Sequence, residues 1–151
     1  MSDVKDVKRT HIIYWILTGL FAFVMFGSAI PDVLMVDMAK QGFAEIQLPA
    51  YLLPFVGIAK MLGVIAILIP GNPRLKEWAY AGLTFDLLGA TYAVAASGKA
   101  IENWAPMLVF IALGLGSNYY YHKRLKVNAL AKVNQTLTGE ALPENLKSTW
   151  I

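Results

Sequence analysis

The chain contains no cysteine. It therefore offers no thiol for redox chemistry, no thiolate for a metal ion and no attachment point for covalent haem, while the redox compartment stays open. Charge is scarce too: Asp, Glu, Lys and Arg make up 15% of the 151 residues against 57% hydrophobic, and the mean hydropathy is +0.52. A soluble domain of this size is far less apolar, so the composition places the chain among membrane proteins. The sequence shows no nucleotide motif and no metal-ligating cluster. Its two histidines, His11 and His122, do not make a haem pair, since both fall near the same predicted interface. Alternation in segments of about ten residues, the mark of a membrane barrel, is missing as well.

What is present is apolar length. Four stretches, residues 11–30, 51–69, 78–96 and 104–121, approach or reach the roughly 20 helical residues that cross a hydrocarbon core of about 30 Å. The expected fold is all-α, an integral membrane four-helix bundle. It is preceded by a charged leader over residues 1–10 and followed by a polar tail over residues 127–151. Lys5, Lys8 and Arg9 precede the first span, Arg74 and Lys76 separate the second from the third, and Lys123, Arg124 and Lys126 follow the fourth. The other side carries Lys40 and Lys99 against Asp32, Asp37, Glu45 and Glu102. By the positive-inside rule both termini are cytoplasmic. The net charge of +3 thus reads as a topology signal that touches anionic headgroups, and nucleic acid is not an expected partner.

Within the spans, Tyr14 and Trp15 are expected in an interfacial aromatic belt. Gly27, Ser28 and Ala29 resemble a signal-peptide cleavage site, but the three further spans favour a signal-anchor helix. Pro31 and Asp32 are expected to open an outer connection reaching Leu48, with a short interfacial helix ending near Gly42. Pro54 is expected to kink the second span. A further short helix is expected to end near Leu137, followed by a loose tail marked by Gly139 and Pro143. The sequon Asn134-Gln135-Thr136 falls on the cytoplasmic side, where it would not be used.

Two charges interrupt the apolar runs, Lys60 in the second span and Asp86 in the third. A charge at a helix centre costs roughly 2.5 to 3.5 kcal/mol on insertion scales, so such residues face a partner, a cavity or a ligand. Lys60 precedes the inner end of its span at Ile69 by nine residues, and Asp86 follows the inner end of its own at Trp78 by eight. At about 1.5 Å per residue the two lie within a turn of the same depth. A Lys60–Asp86 ion pair, direct or through water, is therefore expected in the bundle interior. Gly57 and Gly63 flank the lysine, and Ala79, Gly82, Gly89, Ala90 and Ala93 share the aspartate's helix face. Small residues of this kind are expected at close helix contacts in lipid.

The run LPAYLLPFVGIAKMLGVIAILIPGNPRLKEWAYAGLTFDLLGA, with the later ASG and PMLVFIALGLGSNYYYHKRL, resembles the DoxX-like family of small four-helix bacterial membrane proteins. Lys60 of GIAKMLG, Glu77 and Trp78 of KEWAYAG and Asp86 of TFDLLGA carry the resemblance most specifically. It implies a bundle in the bacterial inner membrane and little about chemistry. Some members of the wider group are quinone-linked oxidoreductase accessories, disulfide-linked quinone reductases or sterol-binding proteins. Without cysteine this chain cannot relay electrons through dithiols.

Three functions remain open. The first is a cavity for a small amphipathic ligand (a quinone, lipid or metabolite) held at Lys60 and Asp86 and lined by Ser28, Thr91 and Tyr92. The second is an accessory subunit of a quinone-linked oxidoreductase or a proton-coupled transporter, with redox centres supplied by a partner. The third is an assembly factor whose ion pair fixes helix register. No self-contained catalytic residue is identified, and no resident cofactor beyond a quinone is implied. The expected partners are the bilayer and either a second copy or an oxidoreductase.

Overall fold

The computed structural model describes residues 2–138. Five helices and no strands make up the described residues: α1 (Ser2–Val33), α2 (Asp37–Glu45), α3 (Leu52–Leu68), α4 (Pro73–Ala96) and α5 (Ile101–Thr138). The fold is all-α. Its helix count is five rather than four, because the segment after α1 winds into a helix of its own that continues past Gly42 to Glu45. The charged leader is not a separate element but the first turns of α1, and the helix expected to end near Leu137 is the uninterrupted end of α5. Gly139, Pro143 and the remainder of the polar tail lie outside the described residues.

Local chemistry sets the boundaries. Pro31 does not end α1: its ring forgoes one i→i−4 bond, yet the chain beyond it stays tied to the helix, with Leu34 N–H donating to the Ile30 carbonyl and Val36 N–H to that of Pro31. The helix stops where Met35 takes a left-handed conformation, φ 49°. Pro54 likewise falls in the first turn of α3, which starts at Leu52. Its N–H would have had no partner inside the helix there, so the kink expected at Pro54 has no cause. Between α3 and α4 the PGNP turn uses Gly71 at φ 101°, and Pro73 occupies the first helical position.

The four long helices close a ring in which α1 packs on α3 and α5, and α4 packs on the same two, with α2 lying against α1 and α3. Tyr14 meets Tyr121, Thr18 meets Ser117 and Phe21 faces Gly114, so α1 and α5 run antiparallel. Tyr14, Phe21, Met25, Ile67, Tyr80 and Leu83 fill the centre. Tyr14 is wholly buried rather than in the interfacial belt, while its neighbour Trp15 is 40% exposed.

The exterior is more apolar than that of a soluble domain, and a few polar groups lie inside with the hydrophobic core. Thr18, Ser117, Lys76 and Asp32 are buried, whereas Phe23, Phe55, Trp78 and Phe85, on three of the four long helices, are each more than 70% exposed. Such an apolar exterior suits a lipid solvent. Among the described residues, one helical stretch, Val7–Val33, is long and apolar enough to cross a membrane, and Leu52–Leu68 is apolar over a shorter length.

The glycines expected at helix contacts divide. A Cβ at Gly57 would lie 2.7 Å from Val33 Cγ2 and 2.9 Å from the Val33 backbone nitrogen, so this glycine lets α3 approach α1. At Gly63 it would meet Leu83 Cδ2 at 2.9 Å. Gly82 and Gly89, by contrast, have nothing within 4 Å of such a Cβ, and both are exposed. The buried face of α4 is Lys76, Tyr80, Leu83 and Leu87, adjacent to the small-residue face read from the sequence. Large side chains fill the bundle centre, and the small ones leave a furrow beside α3. At Gly114, in the GLGSN run whose glycines suit close helix packing, a Cβ would meet the Phe21 ring at 2.9 Å, so α5 approaches α1 there.

Candidate functional site

Lys60 sits on the third turn of α3, where the close approach allowed by Gly57 brings α1 within reach of its ammonium. Lys60 Nζ lies 3.6 Å from Asp86 Oδ2 on α4, so the two charges do form an ion pair. The nearer partner is one the sequence reading placed in an outer connection: Lys60 Nζ donates to Asp32 Oδ2 at 3.0 Å. Because α1 runs on through Pro31, Asp32 remains helical and turns inward, where it is 8% exposed. The site is therefore one ammonium held between two carboxylates from different helices. An ammonium has three N–H donors, and these two contacts occupy at most two. Fully ionised, the trio carries one net negative charge. The expected spans carried no depth signal for this contact: Asp32 falls two residues beyond the end of the first, whereas Lys60 stands nine residues inside the second. The proline before Asp32 reinforced its reading as loop.

Beside this cluster runs a furrow of about 330 Å³ between α3 and α4. Its walls include Gly63, Ala66, Ala79, Gly82 and Leu83, and Trp78 stands toward one end. Among the described residues, Lys60 and Asp86 are the only charged groups lining it. The open space over Gly82 is part of this furrow. The cavity opens sideways instead of being enclosed by the bundle. A chemically matched guest would lay an apolar body along the glycine and alanine walls and present a hydrogen-bonding head to the lysine and aspartate.

The other expected lining residues are elsewhere. Ser28 donates its hydroxyl to the Met25 carbonyl and Thr91 to that of Leu87, each within its own helix. Tyr92 is 76% exposed. None of the three lines the furrow.

The bundle centre instead holds a polar knot that sequence reasoning missed. Ser117 Oγ is 2.7 Å from both Thr18 Oγ1 and Tyr80 Oη, and the last two are 3.2 Å apart. Three hydroxyls from α1, α4 and α5 thereby satisfy one another in a closed triangle, each residue at most 1% exposed. A hydroxyl both donates and accepts, so the triangle needs no charge and no water. It pins three helices to one register and leaves no group over for chemistry. Single hydroxyls scattered over three spans carry no sequence signal that they will meet.

At the α2 end of the bundle, an ion pair between Lys99 and Glu45 ties the α4–α5 connection to the end of α2. The opposite end gathers the start of α1, the α3–α4 turn and the last turns of α5, where Lys76 and Arg124 stand against the rings of Tyr14 and Tyr121.

A search of curated proteins and of solved structures gives no match to the chain. A family model, the DoxX-like family, matches residues 16–117, about two thirds of the length. That interval runs from α1 to the middle of α5 and contains Asp32, Lys60 and Asp86 together with the furrow beside them. The chain belongs to the DoxX-like family.

Proposed function

We propose that this DoxX-like chain is a multi-pass protein of the bacterial inner membrane that binds a small amphipathic molecule from the bilayer, a quinone, lipid or metabolite, in the α3–α4 furrow. The observation that carries the proposal is a lateral, apolar furrow whose only charged groups, among the described residues, are Lys60 and Asp86. Two further features support it. The apolar exterior suits lipid, so a sideways opening faces the solvent in which such ligands are dissolved. The basic residues Lys8, Arg9, Arg74, Lys123, Arg124 and Lys126 gather toward one end, which the positive-inside rule assigns to the cytoplasm together with both termini.

In this reading the third N–H of Lys60 donates to a carbonyl or hydroxyl oxygen of the guest. Asp32 and Asp86 orient the ammonium. Ser28, Thr91 and Tyr92 are not part of the site, and no catalytic step is assigned.

The test is native mass spectrometry of gently solubilised protein, alongside Lys60→Met and Gly82→Leu. The leucine fills the furrow without removing a charge. A co-purified molecule present in the wild type and lost in both variants is the expected result. Retention in Gly82→Leu overturns the furrow as the site. An empty wild type whose Lys60→Met variant merely melts earlier favours the alternative in which the charges only fix helix register.

A further inference from the structure

A second cavity, of about 320 Å³, lies at the basic end of the bundle and shares no lining residue with the furrow. The α3–α4 turn forms one wall, Trp15 of α1 another, and the last turns of α5 the third. Three cations line it, Lys76, Arg124 and Lys132, and among the described residues no carboxylate does. The side-chain amides of Asn72 and Asn128 add uncharged donors, and the remaining walls are largely apolar.

Lys76 is the unusual member. It is only 5% exposed, yet its contacts are aromatic: Nζ donates to Tyr14 Oη at 3.4 Å and lies 5.6 Å from the centre of the Tyr121 ring. The Arg124 guanidinium lies over the neighbouring Tyr14 ring, 5.2 Å from its centre. Burial pulls the Lys76 ammonium below the ordinary lysine range, and the positive charge of Arg124 adds to that effect. A buried lysine beside an arginine costs free energy in the empty protein and is relieved by a negative guest. Topology alone asks only for cations at the surface; it does not require one of them to be buried in a cavity wall.

We propose that this cavity binds a phosphate-bearing anion, its oxygens held by Lys76, Arg124 and Lys132. Three cations match a tetrahedral oxyanion with several acceptor oxygens better than a carboxylate with two, and the arginine fork is suited to bidentate contact. The volume sits at the lower end of the small-ligand range of about 300 to 1,000 Å³. The same chemistry is offered by the phosphodiester headgroup of an anionic phospholipid in the inner leaflet and by a free phosphate of the cytoplasm. The apolar share of the walls suits the lipid, and the test separates the two.

Full-length protein in detergent micelles is titrated with phosphatidylglycerol, with phosphatidylcholine and with inorganic phosphate, and bound adducts are counted by native mass spectrometry. Lys76→Met, Arg124→Gln and Lys132→Gln are compared with the wild type, and Gly82→Leu serves as the variant of the other cavity. Each lost cation is expected to weaken the adduct about fivefold, the equivalent of about 1 kcal/mol for a basic residue near an anionic headgroup. Gly82→Leu is expected to leave it unchanged. Cation-dependent retention of phosphatidylglycerol over phosphatidylcholine identifies a lipid site, and cation-dependent inorganic phosphate adducts identify a soluble one. Equal retention of both lipids, or binding indifferent to all three substitutions with no phosphate adduct, overturns the proposal. Lys132 lies on the exposed end of α5, so its variant reports on binding even if Lys76→Met disturbs folding.

Discussion

Asp32, Lys60 and Asp86 form an unequal trio, and that inequality makes a prediction the sequence alone would have reversed. At an effective dielectric of about 20, contacts of 3.0 and 3.6 Å correspond to roughly 5.5 and 4.6 kcal/mol of attraction before desolvation is subtracted. Asp32 is also better shielded, with 11% of its side chain exposed against 24% for Asp86. One ammonium offsets one carboxylate, so the second negative charge repels the first. Removing Asp86 relieves that repulsion and leaves the shorter pair intact, whereas removing Asp32 leaves only the longer one. Lys60→Met strands both carboxylates and is expected to cost about 3 to 5 kcal/mol, the range for breaking a buried pair. Asp32→Asn is expected to cost about 2 kcal/mol, because only the 3.6 Å ion pair survives, and Asp86→Asn less than about 1 kcal/mol, because the 3.0 Å hydrogen-bonded pair is kept. Thermal unfolding of the purified variants in one detergent gives the ranking directly. If Asp86→Asn lowers the midpoint as much as Lys60→Met while Asp32→Asn is silent, the hairpin pair is the true unit and Asp32 is not the principal partner of Lys60.

Substituting glycines with alanine separates contact from open space. Gly57→Ala is expected to destabilise by about 1 to 3 kcal/mol, because its methyl group meets the Val33 backbone and side chain. Gly82→Ala is expected to raise the midpoint slightly, since nothing opposes the methyl group and alanine favours a helix by about 1 kcal/mol. In the hydroxyl triangle, Ser117→Ala removes the two 2.7 Å contacts and is expected to cost about 1 to 3 kcal/mol, more than Thr18→Ser, which keeps the oxygen. Lys76 makes stability depend on alkaline pH. Its folded value is lowered, so the unfolded chain binds more protons between that value and 10.5. Wild-type stability therefore rises with pH through that window, and Lys76→Met is expected to flatten the rise in midpoints measured across it.

Much of the molecule was legible because apolar runs, glycine–proline turns and the scarcity of charge act locally. They determine that the chain is helical, that long helices alternate with short connections, and that Lys60 and Asp86 stand at similar depth on neighbouring helices. A charge in an apolar run is visible without any knowledge of its surroundings. What no local rule supplies is rotation about a helix axis and which helices meet across the ring. Those depend on how large side chains share the centre: Tyr80 and Leu83 turn inward, Tyr14 leaves the expected interfacial belt for the core, and the small face of α4 becomes a furrow beside α3. Likewise Pro31 is a helix breaker in the abstract, yet α1 continues through it to Val33, and only the packed bundle brings Asp32 to Lys60. The sequence determined the elements and the cost of their charges; tertiary packing decided the partners, because burial is a property of neighbours brought together from distant parts of the chain.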